Sequence, residues 1–114
     1  MVAATPNGIS VISTLVGACL RVNWYPVTDA TGYNVYRSQI AWDTFTKINS
    51  TTIPGITYYD TPPTPNDNFD NLWYYRVSSV DSSGESLLSG PFTYMNYAAF
   101  DEKPIPGMSW SSLF

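Results

Sequence analysis

The chain has no histidine, a single cysteine and few charged residues. Histidine is the most common general base and metal ligand near neutral pH, so a Ser/His/Asp triad and a histidine-type zinc site are both excluded. Cys19 has no second cysteine with which to form an intrachain disulfide. The fold must therefore be stabilised by its core, and we interpret Cys19 as a structural thiol in a strand.

Charge is also scarce, because charged residues make up 12% of the chain, against roughly 25% in ordinary soluble domains. The net charge is −4, and the basic residues are spread along the chain without forming a cluster. Nucleic-acid binding and attachment to anionic membranes usually require a clustered basic face. We therefore expect no nucleic-acid partner. The basic residues are Arg21, Arg37, Lys47, Arg76 and Lys103.

Long apolar runs are absent. No stretch approaches the roughly 20 apolar residues of a membrane span, so we expect no membrane insertion. Residues 1–8 contain no cationic residue and no following apolar run, which is not the pattern of a secretory signal. This predicts either a leader removed earlier or a route other than ordinary export.

Core-forming residues, in contrast, are plentiful. Hydrophobic residues make up 44% and aromatic residues 16% of 114 residues, which is enough for the core of one domain. Helical periodicity is missing. Short alternating runs separated by Pro, Gly, Asn and Asp at intervals of about ten residues are typical of an all-β sandwich. The seven predicted strands are residues 9–15, 18–24, 33–38, 45–48, 56–60, 72–81 and 86–94.

Alternation along the strands predicts which side chains face inward, because successive side chains point to opposite faces of a sheet. The clearest faces lie on the second, third and sixth predicted strands. Two such faces packed about 10 Å apart form a sandwich core. The predicted core consists of Leu20, Val22, Trp24, Tyr33, Val35, Tyr58, Trp73, Tyr75 and Val77.

Five segments in order resemble the fibronectin type III domain family. They are residues 20–27 (LRVNWYPV), 32–38 (GYNVYRS), 57–61 (TYYDT), 74–86 (YYRVSSVDSSGES) and 89–91 (SGP). The match covers roughly residues 5 to 95. Similar domains occur in bacteriophage virion proteins and bacterial extracellular enzymes.

The resemblance implies an all-β, seven-stranded antiparallel fibronectin type III sandwich, immunoglobulin-like, over residues 1–95. It also implies binding or scaffolding, with no catalysis and no cofactor. Trp73 stands where the family usually has its corner tyrosine, so the hydrogen bond of that corner does not carry over directly. No Arg-Gly-Asp tripeptide is present, so integrin binding does not carry over either.

Three other patterns have an ordinary explanation. The carboxylate pairs Asp67/Asp70 and Asp101/Glu102 are interpreted as surface charge. Residues 66–71 are rich in oxygen ligands but lack the spacing of a calcium loop, and turn chemistry explains them. The glycosylation sequon at Asn49 is interpreted as chance. We expect no metal site.

Aromatic residues outside the predicted core are candidates for partner contacts. Trp42, Tyr36, Tyr59 and Tyr74 either stack on sugar rings or anchor a partner, or they cover hydrophobic surface and pair across strands. We favour the second interpretation for the set. Trp42 is the candidate for surface adhesion because it lies in a predicted loop.

The carboxyl-terminal residues 96–114 are apolar but show no regular period. Disordered tails are poor in such residues. The segment is expected either to fold back on its own domain or to dock on a neighbour, and we favour a docking arm. Its candidate docking residues are Tyr97, Phe100, Ile105, Met108, Trp110, Leu113 and Phe114.

Two functions from different classes follow. The first is a structural or adhesive component of a virus particle, such as a bacteriophage capsid, neck or tail. Its partners would be other structural proteins of a homo- or hetero-oligomeric assembly, together with host-surface glycans, and its location the virion. The alternative is an extracellular spacer or carbohydrate-binding module of a bacterial secreted glycoside hydrolase or adhesin.

Overall fold

The computed structural model describes residues 3–13, 19–63 and 72–93. The described part is all-β and forms two antiparallel sheets. Its strands are β1 (Ser10–Ser13), β2 (Leu20–Asn23), β3 (Gly32–Ser38), β4 (Thr46–Lys47), β5 (Thr57–Asp60), β6 (Tyr74–Asp81), β7 (Gly84–Glu85) and β8 (Phe92–Thr93). Within these ranges, no helix is long and apolar enough to cross a bilayer.

The smaller sheet has the order β1-β2-β5, with β2 in the centre. Val22 lies opposite Val11 on β1 and opposite Tyr58 on β5, and these three side chains form one row across the inner face. Leu20 lies opposite Asp60 in the next row. The apolar alternation of β2 therefore faces the second sheet.

The larger sheet is built around the long pairing of β3 with β6, which runs from Gly32 opposite Val80 to Ser38 opposite Tyr74. The short strand β4 pairs with β3 on one side, and β7 and β8 pair with β6 on the other. Val35 and Val77 lie opposite each other at the centre of the inner face. Both are fully buried.

The core lies between these two inner faces. Trp24 is 1% exposed, and its ring centroid lies 5.3 Å from that of Tyr33, with the rings tilted by 59°. Seven of the predicted core residues are buried, while Tyr58 and Trp73 are partly buried and packed against them. Ile9, Val11 and Ile53 complete the buried cluster. An antiparallel β-sandwich is thus the observed fold, as the alternation predicted.

The last predicted strand, residues 86–94, is divided in two. Val80 on β6 lies opposite Glu85, and Tyr75 lies opposite Phe92. These two pairs are five residues apart on β6 but seven residues apart on the segment from β7 to β8, so that segment has two extra residues. In this interval the hydroxyl oxygens of Ser86 and Ser89 accept the backbone N–H of Ser79 and Val77, each at 2.9 Å. Side-chain oxygens replace backbone carbonyls there, and Pro91 has no N–H to donate. The edge is therefore bulged where a regular strand was predicted.

Several predicted features lie outside the described residues. They are the docking arm at 96–114 with all its candidate contacts, the calcium-like run at 66–71 and both carboxylate pairs. Those predictions stand as predictions.

Candidate functional site

An ion pair between the two sheets lies at one end of the sandwich interior. Arg37 Nη1 on β3 lies 2.9 Å from both carboxylate oxygens of Asp60 on β5. The buried hydroxyl of Tyr75 donates to Asp60 Oδ2 at 2.5 Å. The guanidinium also lies 5.0 Å from the centre of the Trp73 ring, within cation–π range. Both charges are therefore committed to cross-sheet contacts.

Tyr75 stays a neutral donor in this cluster. Burial, followed by its hydrogen bond to the Asp60 carboxylate, raises the pKa of Tyr75 far above its ordinary value of 10.0. Carboxylates and phenols in a buried, mutually bonded arrangement stabilise a structure but leave no free base. This cluster is structural.

Sequence reasoning missed the pair, although the signal was present. Alternation places Arg37 on the same face as Tyr33 and Val35, and Asp60 on the same face as Tyr58. A charged residue on a core face requires an opposite charge or hydrogen bonds. The sequence analysis considered Arg37 only as one of five basic residues spread along the chain, and so overlooked that requirement.

A second polar cluster lies on the outer face of the larger sheet and is centred on Glu85. Glu85 Oε2 accepts hydrogen bonds from Asn34 Nδ2 at 3.1 Å and from the hydroxyls of Tyr36 and Ser78. These donors come from β3 and β6, so the carboxylate joins the centre of the sheet to its β7 edge. Glu85 therefore links three neighbouring strands by side-chain hydrogen bonds.

The ionisation of Glu85 reflects these contacts. Burial raises the pKa of the carboxyl, but the hydrogen bonds from Ser78, Tyr36 and Asn34, with the charge of Lys47, bring it below 4.5. Burial and the Glu85 contact together raise the pKa of Tyr36 from 10.0 to about 12. Glu85 is thus an anion held by neutral donors, and it has no matched general acid beside it.

Metal ligation has no support within residues 3–13, 19–63 and 72–93, which contain no group of three His, Cys, Asp or Glu residues placed to hold an ion. Cys19 is half-buried and lies directly before β2, not within the strand in which it was predicted.

The sequon at Asn49 is explained by packing. Asn49 is 5% exposed, and its Oδ1 accepts the backbone N–H of Val35 at 2.8 Å. Its Nδ2 donates to Asn34 Oδ1 at 2.8 Å and to the Thr51 carbonyl at 2.9 Å. The amide is committed to internal bonds and is not available for a sugar.

The aromatic candidates for adhesion differ in exposure. Trp42 is 89% exposed and Tyr59 is 59% exposed, whereas Tyr36 and Tyr74 are half-buried on the larger sheet. Trp42 is therefore the most exposed of the four. Tyr36 donates a hydrogen bond to Glu85, and Tyr74 lies opposite Ser38 and Thr93 in the larger sheet.

The loop between β3 and β4 holds Trp42 outward. Its turn is closed by the backbone N–H of Asp43 donating to the Ile40 carbonyl at 3.2 Å, and Ser38 Oγ accepts the N–H of Ile40 at 3.0 Å. Ile40 is itself 42% exposed. A short hydrogen-bonded turn thus presents two apolar side chains, as an anchor for a partner would require.

No protein-family model and no curated protein matches the sequence. Solved structures do match it. An Fn3-like protein from Clostridium thermocellum is 29% identical, with a TM-score of 0.71, over 82% of this chain and 92% of that one. The FN3tt structure is 22% identical, with a TM-score of 0.64, over 84% of this chain and 98% of that one. The FN5 domain of Drosophila Lar is 15% identical, with a TM-score of 0.59, over 81% and 94%.

Each alignment covers 92% or more of the solved structure, so each of these structures is nearly all one domain. They share the β-sandwich fold observed here. Domains of this kind are commonly structural or adhesive and generally non-catalytic. The ordered set of sequence segments from residue 20 to residue 91 points to the same assignment. The similar solved structures and these segments together support assignment of the chain to the fibronectin type III domain family.

Proposed function

We propose that this domain is a non-catalytic structural or adhesive component of a virus particle. The non-catalytic part of the proposal rests on the internal hydrogen bonds of the domain's carboxylates. The Asp60 and Glu85 carboxylates are each bonded by several donors of the domain itself. The exposed aromatics, in contrast, have room to meet a partner.

The apolar composition of residues 96–114 supports the virion proposal. This segment follows the last described strand, β8, and contains the seven large apolar candidates for docking. Arms of this kind are suited to joining repeated subunits, because an apolar segment gains free energy when a neighbour covers it. The proposed partners are other structural proteins of the same assembly, and the proposed location is the virion.

Adhesion through Trp42 is the second part of the proposal. A tryptophan on a hydrogen-bonded turn offers a large contact area at a low entropic cost. Host-surface glycans are the proposed partners.

The alternative function is an accessory module of a secreted bacterial glycoside hydrolase or adhesin. The similarity to a Clostridium thermocellum Fn3-like protein favours it, because that bacterial protein is more similar in sequence than the animal domain described above. The sandwich described here would serve as a spacer or sugar-binding module equally well.

One fractionation experiment separates the two. Particles and soluble proteins from the source culture are resolved by buoyant density, and the fractions are searched for peptides of this chain. The virion proposal expects the peptides to band with nuclease-protected nucleic acid. Peptides found instead in a soluble extracellular fraction, within a longer polypeptide, would establish the alternative.

A further inference from the structure

The outer face of the smaller sheet carries a row of two exposed tyrosines and three half-buried polar side chains. It is defined by Tyr25, Asn23, Thr57, Arg21 and Tyr59, and we call it the tyrosine platform. Arg21 lies opposite Tyr59, and Asn23 lies opposite Thr57. Tyr25 follows β2 directly, two residues beyond Asn23. By alternation all five share the face opposite to Leu20 and Val22.

Tyr25 lies flat on this face. A Cβ added at Gly8 would come within 2.5 Å of the Tyr25 ring atoms, so the ring packs directly on the Gly8 backbone. Gly8 has a φ of 66°, which also favours glycine there. One face of the ring is covered by the chain, yet Tyr25 remains 64% exposed. The other face of the ring is therefore open to a ligand.

Tyr59 is the second exposed aromatic, at 59%. It lies opposite Arg21, four residues along β2 from Tyr25, so the two tyrosines are separated by roughly 14 Å along the strands. That span is longer than one sugar ring and suits a chain of several.

The polar groups between the tyrosines are fixed in orientation. Thr57 Oγ1 donates to Asn23 Oδ1 at 3.1 Å, and Asn23 Nδ2 donates towards Ser10 Oγ at 3.4 Å. These two bonds define which end of the amide is the donor and which is the acceptor. An oriented amide with an adjacent hydroxyl is suited to bonding the hydroxyl groups of a sugar.

Arg21 supplies the charge of the platform. Its Nε is buried with no hydrogen-bond partner among the described residues. The described outward positions of β1, β2 and β5 contain no carboxylate, because Asp60 faces inward to Arg37. Among the described residues of this face, the guanidinium thus has no counter-charge.

From these observations we propose that the tyrosine platform binds a glycan chain that carries carboxylate groups, such as a polymer of uronic acids. The rings of Tyr25 and Tyr59 stack on sugar rings, Asn23 and Thr57 bond to hydroxyls, and the terminal nitrogens of Arg21 pair with a carboxylate. The net charge of −4 repels an anionic polymer at long range, but salt at physiological strength screens that repulsion beyond about 8 Å. The inference adds a second glycan-contacting surface, with its own ligand class, to the adhesive role proposed above, and it rests on that role.

The test uses the full chain and two matched polymers, polygalacturonate and its methyl ester, in affinity electrophoresis. The methyl ester retains the sugar rings but has no carboxylate. We expect the unmodified chain to be retarded by polygalacturonate more than by the ester. Tyr25→Ala and Tyr59→Ala should each weaken binding of polygalacturonate about tenfold. Arg21→Gln should abolish the preference for the acidic polymer while the chain still binds the ester.

Leu87→Ala is the matched control, because it removes an exposed apolar side chain between β7 and β8 that no proposed glycan contact uses, and it should bind as the unmodified chain does. Thermal melting of each variant separates loss of binding from loss of fold.

Absence of binding to both polymers overturns the proposal, as does full binding by both folded tyrosine variants. Loss of binding in Trp42→Ala alone would move sugar adhesion to the β3–β4 loop. An oligomer that dissociates in Tyr59→Ala, without sugar binding, would make the platform an interface between copies. Each of these failures leaves the particle assignment intact, since fractionation tests that separately.

Discussion

Arg37 and Asp60 face each other across the sandwich, with one guanidinium nitrogen 2.9 Å from both carboxylate oxygens. The pair joins β3 of the larger sheet to β5 of the smaller one, and their side chains are 22% and 9% exposed. Removing one member leaves the other charge in a poorly hydrated environment. This contact is a charged link between the two sheets.

Asp60→Ala should therefore lower the free energy of unfolding by about 3–5 kcal/mol, because it strands Arg37 and the Tyr75 hydroxyl. Urea denaturation measures the loss. Asp43→Ala, on the exposed β3–β4 loop, is the control and should cost less than about 1 kcal/mol. The double variant Arg37→Met/Asp60→Leu should recover much of the loss, since no charge remains buried. If Asp60→Ala costs no more than the control, the pair contributes little.

Two tryptophans provide a matched test of the core. Trp24→Ala should cost about 3–5 kcal/mol, because Trp24 is buried against Tyr33 between the sheets. Trp42→Ala should change stability by less than about 0.5 kcal/mol, because Trp42 is 89% exposed. Thermal melting compares the two variants directly. Equal melting temperatures for both would contradict the assignment of the core.

Much of the fold follows from the sequence because alternation is a local property. The inward positions of β2 and β6 can be identified from apolar residues at every second position, and the structure buries them. The divided edge at residues 86–91 could not be predicted in this way. It depends on Ser86 and Ser89 hydroxyls reaching the backbone of β6, which is a tertiary contact with no local period.

Candidate sites were harder to predict than the fold. Trp42 was identified because its loop position was evident, whereas the tyrosine platform was not identified as a unit. Tyr59 and Tyr25 lie 34 positions apart in the sequence, and only the pairing of β2 with β5 places them on one face. Single-sequence patterns cannot supply that strand register.

Acid should reduce the stabilisation that the Glu85 hydrogen bonds provide. The folded-state pKa of Glu85 lies below 4.5, so its contribution to stability is fully present above about pH 4.5 and is lost as the pH falls through the folded pKa. Glu85→Gln cannot titrate, so its unfolding free energy should change less between about pH 6 and about pH 3. Denaturant curves at each pH provide the comparison. Parallel pH profiles would show that the carboxylate is not linked to folding.

Alkali should act on Tyr36 in the opposite direction. Because its pKa is raised from 10.0 to about 12, its contribution is complete below pH 10 and is lost as the pH rises towards 12. Ultraviolet titration of tyrosinate should show one ionisation near pH 12 that disappears in Tyr36→Phe. A titration curve that keeps this step in the variant would assign it to another residue.

The proposed assembly depends on residues 96–114 acting as a docking arm. A comparison of the full chain with a chain ending at Met95 tests this role most directly. Light scattering reports association, and thermal melting reports the fold. We expect the shortened chain to melt at a similar temperature and to remain monomeric, while the full chain associates. A shortened chain that unfolds beside a monomeric full chain would contradict this, and would make residues 96–114 part of the domain's own core.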